Sequence, residues 1–313
     1  MGRRHVSRPV RILAALDLSH QSGREQLSGI YQYADTNTHW QISMVPGTES
    51  IYAAIINRMI ASREIDGAIL KADVPSVADH MAGSDVPVSF IDMPRSPTLH
   101  MRRNSAFILN DNAAIGEAAA DHFCSLGRFA SYAYLPPNLE LEWSRVRERA
   151  FFARLAENGR KGFAKPPSHY GEDFEYAQRE LAEWLAALPK PVAVFASFDM
   201  LAAHVVACCR EMGIAVPDSV AVIGVDNDRI VCEHSRPQIS SIRPNHEMQG
   251  FEAARQLDRL LWSRRTRAKA TIVCCPHLGI VERGSTAALS PGLQLVERAR
   301  AYIRENYAKG VSV

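Results

Sequence analysis

The chain has 313 residues, with 36 Lys plus Arg against 34 Asp plus Glu, 47% hydrophobic and 22% charged residues. Its length allows one or two domains with a full core, its composition excludes a disordered or fibrous chain, and no apolar run approaches the roughly 20 residues that span a bilayer. A formal net charge of +2 argues against a surface coated over most of its area by nucleic acid.

The start, Met1-Gly2-Arg3-Arg4-His5, imitates the basic head of a signal peptide. The apolar stretch after it, Ile12–Leu16, is too short for a leader core and closes on Asp17, which fits a buried first strand better. Further apolar runs predict strands at Val10–Leu16, Ile42–Val45, Ala68–Leu70, Val88–Ile91, Phe129–Leu135, Val192–Ala196, Val220–Val225 and Ile272–Cys275. Amphipathic segments lie between them. Leu27, Ile30, Tyr31 and Ala34 share one helix face, as do Leu201, Val205, Cys208 and Met212. Continuous rather than alternating apolar strands suit parallel sheets covered by helices on both faces, so the pattern predicts a doubly wound α/β architecture. With about nine strands, two such sheets are expected rather than one.

A change of unit is expected near Gly127-Arg128, and the pattern breaks again at Ser290-Pro291-Gly292, after which Leu293–Tyr307 reads as one amphipathic helix with an arginine-bearing polar face. The six cysteines, Cys124, Cys208, Cys209, Cys232, Cys274 and Cys275, include no C-x-x-C and no spaced ladder. They read as reduced, mostly buried thiols of a cytoplasmic protein.

The informative residues stand at strand ends. Asp17 closes the first strand, Lys71 follows the third, Asp92 closes the fourth, and Ser197-Phe198-Asp199 and Asp226-Asn227-Asp228 follow later ones. Ligands of open α/β sheets bind beyond the carboxyl ends of the strands. The competing reading of each Asp is a helix N-cap, and for Asp199, directly before Met200–Met212, the cap is preferred. Asp226 opens a polar cluster at the mouth of a highly apolar strand, where a carboxylate can accept hydrogen bonds from two adjacent sugar hydroxyls. Trp143-Ser144-Arg145-Val146-Arg147 supplies an apolar plate and a donor fork for such a ligand, or else a core Trp and solvated arginines. Dinucleotide, P-loop, nucleophile-elbow and zincin patterns are absent. His246-Glu247 lacks the second His, and the eleven histidines read as surface or ordinary core residues. No catalytic group, cofactor or metal is expected.

Val220–Asn227 resembles the signature strand of LacI/GalR-type sugar-responsive regulators. Leu109–Asn112 with the helix ending at Leu126-Gly127-Arg128 resembles the same family, as do Ser240–Pro244 with Met248–Ala254, and Leu278–Arg283. The matches keep their order from about Pro9 to Thr286. That family normally begins with a helix-turn-helix, whereas only Met1–Pro9 precede the first strand. Ala299–Tyr307 followed by Gly310–Val313 resembles instead the opening of an AraC-type DNA-binding domain. A LacI-like sensor with an AraC-type reader is similar to the xylose-operon-regulator family, and Trp143, Arg147, Phe151, Glu172–Phe174 and Ala182–Leu185 agree with it locally.

The resemblance implies a periplasmic-binding-protein-like fold of two doubly wound parallel-sheet lobes joined by three crossovers. Residues 1–287 would form the ligand-sensing domain, with lobe one about 9–127 plus 242–270 and lobe two about 128–241 plus 271–287. Residues 288–313 would form a linker and the first helix of a truncated AraC-type domain. The ligand-binding residues it implies are Arg147 and Asp226, with Asp17 at the cleft and Trp143 and Phe198 packing on the sugar. The loop Asp17–Gln21 departs from the pattern associated with xylose, and Phe198 stands where many LacI-type proteins have a polar residue. The expected function is that of a transcription regulator. A small sugar effector, xylose or related, would control DNA binding by a cytoplasmic homodimer, with weak or no DNA binding by these residues alone and no membrane contact. A transport-type sugar-binding protein of the same fold is the alternative, and an α/β sugar-modifying enzyme a more distant one.

Overall fold

In the computed structural model, the residues described are 8–37, 39–46, 50–71, 84–92, 104–127, 129–138, 141–166, 174–263, 270–287 and 302–303. The C-terminal helix expected over Leu293–Tyr307, and with it the AraC-type segment, lies outside them apart from Tyr302 and Ile303.

Two six-stranded sheets organise the chain. The first runs in the order β11-β5-β4-β3-β1-β2. Its strands are β1 (Val10–Leu16), β2 (Trp40–Pro46), β3 (Gly67–Leu70), β4 (Val88–Ile91), β5 (Ser105–Asn110) and β11 (Thr271–Cys275), all paired in parallel. The second runs β12-β10-β9-β8-β6-β7. It is built from β6 (Ser131–Leu135), β7 (Gly162–Ala164), β8 (Val192–Ala196), β9 (Val220–Val225), β10 (Ser240–Ile242) and an antiparallel edge, β12 (Ile280–Val281). Each sheet winds outward in both directions from its first strand, so each has a switch point where ligand crevices form. The inner strands are buried along their whole length, β3, β4, β6, β8 and β9 without exception. That burial explains why they read as unbroken apolar runs.

The helices are α1 (Gln21–Asn37), α2 (Ser50–Ala61), α3 (Asn112–Leu126), α4 (Glu142–Glu157), α5 (Phe174–Ala187), α6 (Asp199–Glu211), α7 (Arg229–His234) and α8 (His246–Leu261). Helix α3 begins where Asp111 accepts the amide of Ala114 and ends on Gly127 in the left-handed region. Its apolar face does not cover the first sheet. Ile115, Ala119, Ala120 and Phe123 join Tyr132, Tyr134, Phe151 and Phe195 in the core of the second. The chain therefore leaves the first lobe at Asn110–Asn112, not near residue 127. It returns at Arg243–Asn245, and α8 packs on the first sheet through Ala253, Ala254 and Leu257.

The last crossing also differs from expectation. Thr271–Cys275 pairs with β5 in the first sheet, so it belongs to lobe one, and the chain passes over after Cys275. Among the described residues twelve strands stand where about nine were expected, eight of them by range. The extra ones, β5, β7, β10 and β12, are short or begin on polar residues, as Ser105 and Ser240 show.

Helices α1 and α8 meet backbone to backbone. A Cβ at Gly250 would lie 1.8 Å from the Gln26 carbonyl oxygen, and one at Gly29 would lie 1.9 Å from that of Glu247. In an open helix Gly→Ala stabilises by up to about 1 kcal/mol. Gly250→Ala is expected to do the reverse, destabilising by about 1–3 kcal/mol because the helices must move apart. A urea unfolding midpoint below that of the parent chain checks it.

Candidate functional site

The carboxyl ends of both sheets open onto one cleft of about 520 Å³ between the lobes. The first lobe contributes Asp17 after β1, Lys71 after β3, Asp92 after β4, Asn110 at the end of β5, and His246 at the start of α8. The second contributes Trp143 and Arg147 from α4, Phe198 after β8 and Asp226 after β9. All five residues singled out in the sequence, Asp17, Trp143, Arg147, Phe198 and Asp226, line this cleft.

Helix α4 is fixed by a buried tyrosine. Tyr134 of β6 lies 3.0 Å from the Ser144 carbonyl oxygen, to which its hydroxyl donates, and 2.8 Å from the Ser144 hydroxyl. Burial pushes its phenol up to about 12. One turn on, Arg147 is 4% exposed. Its Nη1 donates to the Ser197 carbonyl oxygen at 2.6 Å and its Nε to Asn112 Oδ1 at 2.9 Å. Its Cζ lies 4.7 Å from the centre of the Trp143 ring, a cation–π stack that orients both side chains toward the cleft. The arginine is not solvated, and among the described residues it is not paired with a carboxylate.

Asp226 holds φ 103°, an uncommon value outside glycine, and Asn227 follows at φ 50°. The three polar residues at this strand mouth take separate tasks. Asp226 faces the cleft. Asn227 accepts from Arg283 through Oδ1 at 2.8 Å, and Asp228 caps α7 by accepting the amides of Ile230 and Val231.

Asp199 is not the cap of α6, since Phe198 takes that position and no side chain caps it. Asp199 is instead buried in the first turn, where it accepts from the Ser241 hydroxyl at 2.6 Å and the Asp228 amide at 2.7 Å. Burial, and then the charge of Asp226, push its carboxyl up to about 8. It ties the loop bearing Asp226 to α6 and β10, close against Gly224, where a Cβ would fall 2.3 Å from its Oδ1.

His246 is a cleft residue that the sequence did not single out. It is buried, with Nε2 3.3 Å from Asp226 Oδ1 and Nδ1 2.9 Å from Gln249 Oε1. Asp92, an acceptor only, receives Gln249 Nε2 at 3.0 Å. That bond turns the Gln249 oxygen toward the imidazole, so Nδ1 donates to it. Gln26 donates to the same oxygen at 3.0 Å. A chain of hydrogen bonds thus runs from Asp226 of the second lobe through His246 and Gln249 to Asp92 and α1 of the first. Burial draws the Asp226 carboxyl upward, but the His246 hydrogen bond and charge, with Arg147 and Lys71 nearby, outweigh it and hold it below its usual value. Asp17 behaves alike. Burial is outweighed by the Ser19 hydroxyl and amide, with His20 and Lys71 adding to them.

Four cysteines are buried, Cys124 is partly so and Cys274 is exposed; all six are free thiols. Among the described residues no group of His, Cys, Asp or Glu could hold a metal ion, and no helix is long and apolar enough to cross a membrane.

Two parallel-sheet α/β lobes with strand-end residues converging on the space between them define a ligand-binding protein of the periplasmic-binding-protein-like class. The sequence family described as "Periplasmic binding protein-like domain" matches residues 120–286. The chain is 30% identical over 312 residues to the xylose operon regulatory protein of Escherichia coli K12, covering 97% of this chain and 76% of that protein. The protein of the same name from Haemophilus influenzae is 27% identical, with 93% and 74% covered. The solved structure of a xylose-binding transcription activator superimposes with a TM-score of 0.74 at 25% identity, over 98% of this chain and 77% of that one. The chain belongs to the periplasmic-binding-protein-like family and, within it, to the relatives of the xylose operon regulatory proteins. These relatives are regulators of transcription.

Proposed function

We propose that this chain is the effector-sensing part of a transcription regulator and binds a small carbohydrate, xylose or a related sugar or derivative, between its lobes. The observation that carries the reading is the convergence of Asp226, Arg147, Trp143, Phe198 and Asp17 on one cleft. Asp226 leaves Oδ2 without a partner among the described residues, ready to accept from a sugar hydroxyl. Arg147 keeps Nη2 for donation after its other bonds are made. Trp143 and Phe198 offer apolar surface to the ring's C–H face.

A ligand held by both lobes favours the arrangement that brings them together, and only by its difference in affinity for the two arrangements. In a cytoplasmic homodimer that rearrangement would pass to a C-terminal AraC-type DNA-binding domain. The 313 residues alone would bind DNA weakly or not at all, because base readout uses a second, recognition helix in the major groove.

A thermal-shift screen with aldopentoses, aldohexoses and their acids tests the carbohydrate reading. At least one compound is expected to raise the melting temperature in a saturable way. No shift with any of them would refute the reading.

A further inference from the structure

The cleft holds a mismatch between its own charges. Its carboxylates are already engaged by the protein. Asp92 uses both oxygens, Oδ1 accepting the Asn110 amide and Gln249 Nε2, and Oδ2 accepting Asn110 Nδ2 at 3.2 Å. Asp17 receives the Ser19 amide and hydroxyl on Oδ1, with His20 3.5 Å from Oδ2. Asp226 faces His246.

The cations are less well provided for. Arg147 donates only to neutral oxygens, those of Asn112 and Ser197. Lys71 is tied down by its backbone amide, which donates to the Ala15 carbonyl oxygen at 2.9 Å. Lys71 lines the cleft, and among the described residues its ammonium makes no hydrogen bond and no ion pair within 4.0 Å. A second polar group also waits. Asn110, 7% exposed, lines the same cleft with its Oδ1 buried and, among the described residues, without a partner.

Resting on the reading of the cleft as a carbohydrate site, we infer that the effector is a sugar acid, an aldonate or uronate, whose carboxylate pairs with Lys71. Its hydroxyls then donate to Asn110 Oδ1 and Asp226 Oδ2. A neutral sugar satisfies those two acceptors but gives the Lys71 ammonium no direct partner as the lobes close, because the charges of Asp17 and Asp226 act on it only from beyond ion-pair distance. A ligand carboxylate removes that cost and adds a charge-assisted bond. A phosphate is the poorer anion here. Its double charge would sit among three aspartates, and no glycine-rich loop offers it backbone amides.

The test is titration calorimetry on the whole chain with matched pairs: xylose and xylonate, glucose with gluconate and glucuronate, galactose with galacturonate. At least one acid is expected to bind about tenfold or more tightly than its parent sugar, the effect of one charge-assisted hydrogen bond. Lys71→Gln is expected to abolish that preference and Lys71→Arg to keep part of it. Neutral sugars that bind as tightly as their acids, or a preference untouched by Lys71→Gln, overturn this inference and leave the carbohydrate reading standing. Binding of no member of any pair overturns both.

Discussion

Asp226→Ala is expected to abolish sugar-dependent thermal stabilisation. At a hundredfold excess of ligand over its dissociation constant, the parent chain gains about 2.7 kcal/mol, and the variant is expected to gain none. The loss is large because one side chain serves two purposes. In the proposed site its Oδ2 would accept from the ligand, while Oδ1 faces His246 and so couples the second lobe to Gln249, Asp92 and α1. Melting curves with and without ligand check the prediction, each referred to the variant's own ligand-free midpoint. Stabilisation equal to that of the parent chain would remove Asp226 from the site.

The second large effect is expected from the core beneath the cleft. Phe151 is fully buried on α4, with ring centres 5.2 Å from Phe195 of β8 and 6.5 Å from Phe123 of α3. It therefore joins the two surfaces between which α4 is clamped. Phe151→Ala is expected to cost about 3–5 kcal/mol through lost burial and the cavity left behind, read as a drop in the urea midpoint. Trp143 and Arg147 sit on the same helix, so α4 settling into the cavity shifts both. Ligand affinity measured below the unfolding transition should fall as well. Phe151→Leu, which keeps most of the volume, should retain more of both. Full stability in Phe151→Ala would show that α4 is held by its Tyr134–Ser144 and Arg147 bonds alone.

The strands were legible because a strand buried on both faces has to be apolar throughout, and β1, β4, β8 and β9 declare themselves in that way. The cleft-lining residues were legible for a related reason. Polar residues placed directly after such strands stand at the sheet edge, and Asp17, Lys71, Asp92 and Asp226 all do. The lobe to which α3 belongs was hidden, since an amphipathic stripe of Ile115, Ala119 and Phe123 shows that a helix has a buried face without showing which sheet it covers. The placement of Thr271–Cys275 was hidden for the opposite reason. Most of this strand is exposed, and it is assigned to a lobe by its pairing with β5 and by Cys275 in the first lobe's core.

Asp199 misled because an N-cap and a buried first-turn aspartate occupy neighbouring positions with the same sequence signature. His246 could not be found by spacing, since its partner is 20 residues away across a crossover. The available signal was its place as the first residue of a helix entered from the cleft, just after Arg243-Pro244-Asn245.

The backbone at Asp226 has a consequence of its own. A side chain held at positive φ costs of order 1–3 kcal/mol, and every folded copy carries that cost, with or without ligand. Glycine would relieve it and would remove the carboxylate. If Asp226 holds the effector as proposed, drift toward a tougher chain and retention of the ability to sense select different residues at this one position. A lineage that no longer met its ligand would be free to become more stable there as it became deaf.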